Sequence, residues 1–95
     1  MRPVVGLVWY RRADYRRVLE VMLDAENLPR TFDKWQGQAE RAETDFKRRG
    51  HATVRAYVDP NDFVAWCAAT GHQVDAKGRN AWANLAARRH QIGEN

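Results

Sequence analysis

The chain has no serine at all, which removes serine-nucleophile chemistry outright. Cys67 is the single cysteine, so no intrachain disulfide and no cysteine-rich zinc site can form. A lone thiol fits a reducing compartment. The three histidines, His51, His72 and His90, stand apart with no i,i+4 pair and no cysteine at ligand spacing. There is no glycine-rich phosphate loop either. Gly6, Gly37 and Gly50 are isolated, and Gly71 with Gly78 and Arg79 does not make a nucleotide fingerprint. No metal and no cofactor is therefore expected. No apolar run approaches the roughly 20 residues that cross a bilayer. Val4 to Tyr10 is too short for a signal-peptide core and ends in Arg11-Arg12. The expectation is a soluble cytoplasmic protein with no membrane partner, no identified small-molecule substrate and, on balance, no enzymatic activity.

What is present is 95 residues, enough for one domain spanning 1–95 with one modest core. Four tryptophans are many for this length, and such rings serve cores and interfaces alike. The net charge is +4, unevenly placed. Residues 1–23 carry +3, residues 24–50 balance, residues 51–75 carry −2 and residues 76–95 carry +3. Two basic ends could steer a polyanion if they met in space. The plainer reading is a solvated surface.

The order of elements follows from periodicity and caps. Val4–Tyr10 reads as a strand covered on both faces. Asp14 reads as the cap of a helix whose apolar face is Tyr15, Val18, Leu19, Met22 and Leu23. Asn27-Leu28-Pro29 breaks it. Thr31 caps a second helix with the seam Phe32, Trp35, Ala39, Ala42 and Phe46, closed by Gly50. Ala52–Val58 alternates with period two, a half-buried strand. Asp59-Pro60 stops it and caps a third helix carrying Phe63 and Cys67, which ends at Gly71. Asp75 caps a fourth, with Ala81, Trp82, Leu85 and Ala86 as its stripe. The fold class is α+β: four helices and two short strands, β-α-α-β-α-α, with the helices packed on a small sheet. The expected core is Val18, Leu19, Met22, Leu23, Phe32, Trp35, Phe46, Val54, Val58, Phe63, Cys67, Trp82 and Leu85. Two strands make a marginal sheet with open edges, and a dimer joining two such sheets into four strands would relieve both problems.

Three functional readings follow. The leading one is a non-enzymatic protein–protein interaction or self-association module, as a homodimer. The alternative is nucleic-acid binding. Arg11, Arg12, Arg16 and Arg17 interleave with Trp9, Tyr10 and Tyr15, as backbone neutralisation with base stacking requires. Residues 62–90 outline two helices joined by a short turn, resembling a helix-turn-helix, with Lys77 and Arg79 leading the second helix and Arg88 and Arg89 near its end. The third is a small enzyme using Cys67 with His72 as base, against which a lone cysteine on an apolar helix face is more simply a core residue.

The run Asp59-Pro60-x-x-Phe63-x-x-Trp66-Cys67, followed by Gly71, Asp75 and Arg79 and preceded by Leu28-Pro29-x-Thr31-Phe32-x-x-Trp35, resembles a group of small uncharacterised bacterial proteins. The resemblance covers Tyr10 to about Ala86. It implies a bacterial cytoplasmic origin and carries no assigned activity.

Overall fold

The structure is a computed structural model that describes residues 4–93. In chain order it has β1 (Val4–Trp9), α1 (Tyr15–Val21), α2 (Phe32–Arg48), β2 (Ala52–Tyr57), α3 (Pro60–Thr70) and α4 (Ala76–Gly93). The α+β order β-α-α-β-α-α is as the periodicity indicates, and the two strands pair in parallel, Val4 opposite Ala52 through Trp9 opposite Tyr57. Parallel pairing needs a crossover, and α1 with α2 supplies it.

The caps are local and do what their spacing dictates. Thr31 accepts from the Lys34 N–H, Asp59 from those of Asn61 and Asp62, and Asp75 from that of Gly78. Asp14 differs: its side chain caps nothing, and Arg12–Asp14 forms a tight 3-10 turn leading into α1. α1 also ends two residues short of the periodic pattern. Met22 is already extended, so Leu23 turns outward and is 68% exposed, not core.

The sheet is sandwiched. Trp9 and Arg55 face α2, where Trp9 meets Trp35 edge-on at 5.3 Å and Arg55 binds Glu43. Gly6 faces α4, whose Ala83 carbonyl lies where a Cβ would be. α4 runs antiparallel to the strands, placing Trp82 at Tyr57 and Ala83 at Gly6. The core groups Trp9, Tyr10, Tyr15, Val18, Met22, Trp35, Val58, Phe63 and Cys67. Leu19, Phe32 and Trp82 pack against it, half-buried, while Phe46, Val54 and Leu85 are half-buried in places of their own.

Candidate functional site

A two-stranded sheet leaves one free edge on each strand. The Val58 N–H donates to the Trp9 carbonyl at 2.9 Å. Strand alternation therefore turns the main-chain groups of Val5, Leu7 and Trp9 inward and those of Val4, Gly6 and Val8 outward. On β2 the outward set is Thr53, Arg55 and Tyr57. Trp82 Nε1–H donates to the Tyr57 carbonyl at 3.1 Å and covers that one group.

The two edges differ in chemistry. Val4 to Val8 are all half-buried, and two hollows of about 380 and 290 Å³ flank β1. Leu28 and Trp35 line both, with Ala83 and Asn80 on the α4 side and Ala39 and Ala42 on the α2 side. Among the described residues, Arg79 is the single charged one lining either, and Asp24 neutralises it. Beside β2 lies a groove of about 450 Å³ with a wall of Trp66, Trp82, Leu85 and Ala86. Arg55, Arg89 and Asp62 also line it. Charge and a side-chain cover are what blunt a strand edge against indiscriminate pairing. β2 has both and β1 has neither.

The basic residues singled out in sequence are dispersed. Arg79 is 8% exposed, its guanidinium bound to Asp24 at 2.8 and 2.9 Å. It is a structural cation, not the leading residue of a presented helix. Gly78, beside it, packs against the Gln73 carbonyl and the Cys67 sulfur. Arg12 reaches Asp33 at 2.7 Å and lies over the Phe32 ring at 4.7 Å. Arg17 bonds Asn61 and approaches Glu20 at 3.9 Å. Arg11 covers Tyr57 at 4.3 Å. Arg16, Lys77, Arg88 and Arg89 are exposed. Arg88 and Arg89 lie nine and ten residues beyond Arg79 on α4, about 15 Å along its axis, toward the start of the strands. Arg11 and Arg12 follow the strand's end. Arg88 and Arg89 therefore stand at the opposite end of the sheet from Arg11 and Arg12. The arginine–aromatic interleaving seen in sequence is in large part consumed inside the chain.

Two charged pairs went unread in sequence. Arg55 places two nitrogens on the Glu43 oxygens at 2.8 and 3.0 Å, with its guanidinium carbon over the Trp9 ring, 3.9 Å from the centroid. The hydrogen bonds from Arg55 hold the Glu43 carboxyl below its usual range. Asp24 is likewise lowered, first by its hydrogen bonds from Arg79.

Cys67 is buried and its thiol donates weakly to the Gln73 carbonyl at 3.5 Å. Burial, with the Asp75 charge behind it, pushes the thiol pKa up, away from nucleophilic use. The His72 ring is occupied elsewhere, stacked on Trp66 at 4.8 Å and bonded to Thr70 at 2.8 Å. Among the described residues no His, Cys, Asp and Glu cluster could hold a metal ion, and no helix is long and apolar enough to cross a membrane.

Comparison with protein-family models, with curated proteins and with solved structures finds no match. The functional reading therefore rests on the geometry of the chain itself.

Proposed function

We propose that the chain is a non-enzymatic self-association module that pairs two copies through the free edge of β1. The observation that carries this reading is the contrast between the edges. The β1 edge is apolar, open along Val4–Val8 and flanked by hollows whose one charge is already neutralised. A second copy brings another +4, so a same-chain contact needs a neutral surface. β1 offers one in a strongly basic molecule. A two-fold axis near Gly6 would set β1 antiparallel to its copy and close a four-stranded sheet ordered β2-β1-β1-β2. Both inner edges would then be paired, leaving outside the β2 edges, where Trp82 takes only the Tyr57 carbonyl and charge limits pairing to a matching segment. The single buried thiol suits a reducing compartment such as the cytoplasm.

Sedimentation velocity over a broad concentration range tests this. A dimer is expected, and Ala42→Lys on the exposed rim of α2 shifts it toward monomer, because the new cation meets its own copy across the axis. Asn80→Lys acts the same way from α4. A monomer at every concentration, or a dimer indifferent to both substitutions, defeats the reading. Nucleic-acid binding gains no support from the arginine placement described above.

A further inference from the structure

The groove beside β2 has features that the β1 edge lacks. Its strand edge carries free main-chain groups at Arg55 and a free N–H at Tyr57, among the described residues. Its apolar wall, Trp66, Trp82, Leu85 and Ala86, stands on the α4 face of the sheet. Its charges sit at opposite ends. Asp62 lies in the first turn of α3, just past the end of β2. Arg89 lies seven residues beyond Trp82 on α4, about 10 Å along the helix. Ala83 already lies at Gly6, opposite Val54, so Arg89 stands on the Val54 side of the groove with its side chain leaning back along the helix toward Val54.

We propose that this groove binds an extended peptide segment of another protein. The segment adds to β2 as an antiparallel strand with the pattern cation-x-apolar-x-anion. Residues two apart on a strand share a face, so the first, third and fifth side chains all meet the α4 side. The central apolar side chain stands opposite Ala56 and fills the space between Trp66 and Leu85. The cation, opposite Val58, faces Asp62. The anion, opposite Val54, faces Arg89. The fourth residue stands opposite Arg55 and exchanges both main-chain hydrogen bonds with it. Main-chain pairing supplies the affinity, and the alternate side chains supply the choice of sequence. Antiparallel addition is chosen because its ladder is the more stable per residue. The charge polarity then fixes which end of the peptide enters first.

The β2 groove lies on the edge opposite to β1, so this site is independent of dimerisation. The test uses fluorescently tagged peptides on the full chain, read by anisotropy. The acetylated and amidated pentapeptide Lys-Thr-Leu-Thr-Glu is expected to bind saturably below about 1 mM. Its reversed sequence, and the form N-methylated at the fourth residue, are expected to bind at least about tenfold more weakly. Arg89→Glu, an exposed position, is expected to weaken the parent peptide about fivefold and to favour Lys-Thr-Leu-Thr-Lys instead. Circular dichroism of that variant checks that the fold is retained. No saturation below that concentration overturns the proposal. Equal binding of the reversed or N-methylated peptide also overturns it. Repeating the titration on Ala42→Lys separates the two readings, since peptide binding is expected to survive loss of the dimer.

Discussion

Arg79 of α4 grips both carboxylate oxygens of Asp24, Nη1 to Oδ1 at 2.8 Å and Nη2 to Oδ2 at 2.9 Å. The two side chains are 10% and 18% exposed, and the same Nη1 lies 3.4 Å from the Met22 sulfur. The pair ties the segment after α1 to the first turn of α4, across 55 residues of chain.

Removing one partner leaves the other charge buried. Arg79→Met and Asp24→Asn are each expected to destabilise the fold by about 3 kcal/mol. The double replacement Asp24→Leu with Arg79→Met is expected to cost less than the sum. Urea unfolding of the four proteins measures the coupling. Acid adds a second readout. The Asp24 carboxyl is depressed in the folded state, first by its hydrogen bonds from Arg79. The folded chain therefore holds fewer protons there than the unfolded chain. This contribution is present above the unfolded pKa of about 4 and disappears as pH falls through the lower folded value. Asp24→Asn should flatten the acid limb of the stability profile; an unchanged acid limb would show that the pair has no such linkage.

Tyr10 contributes to the alkaline limb, beside the Cys67 thiol and the Tyr15 phenol, which burial also pushes up. Tyr10 is 2% exposed, and burial pushes its phenol up to about 12 from 10.0, against a partial offset from Arg79. Here the folded state retains its proton while the unfolded state releases it. The Tyr10 contribution is intact below about pH 10 and falls between the unfolded and folded values, by roughly 2–3 kcal/mol. Tyr10→Phe should remove most of that fall. Phenolate absorbance recorded alongside circular dichroism checks it, because Tyr10 should ionise only as the chain unfolds.

Cys67 gives a chemical probe of the same core. With Cys67 1% exposed and its thiol pKa raised, the folded protein should resist a thiol reagent at neutral pH. Labelling should then rise in step with the unfolded fraction as denaturant is added. Rapid stoichiometric labelling of the native protein would contradict the buried placement.

The legible parts of the fold are those whose causes are local. Thr31, Asp59 and Asp75 bond amides two or three residues away, so a cap can be read directly from spacing. Strand order follows for the same reason. Leu23 shows where the reading stops: five apolar residues fit one helical face, but α1 ends at Val21 when the Leu23 N–H is taken by the Val74 carbonyl. That acceptor is some fifty residues away and invisible to periodicity. Arg79 and Arg55 were hidden likewise. Neither arginine shows in sequence that its carboxylate lies on a distant segment, Asp24 after α1 and Glu43 on α2. The parallel direction of the strands was equally closed to sequence, and it decides which edges are left free.

β1 and α4 meet backbone to backbone at Gly6. A Cβ at Gly6 would overlap the Ala83 carbonyl, a backbone group that cannot swing aside. Gly6→Ala must therefore push α4 away from the sheet. Overpacking of this kind costs about 1–3 kcal/mol, despite the entropy that alanine removes from the unfolded chain. Gly37→Ala is the matched control, because only a flexible arginine tip lies near its added carbon and alanine favours the helix by about 1 kcal/mol. Thermal unfolding should then move in opposite directions for the two substitutions. Sedimentation adds a second reading. If β1 pairs with its copy near Gly6, displacement of α4 also disturbs the α4 wall of the hollow beside it. Gly6→Ala should loosen the dimer, whereas Gly37→Ala should leave it alone. Equal stabilisation by both alanines would place α4 further from β1 than the Gly6–Ala83 approach allows.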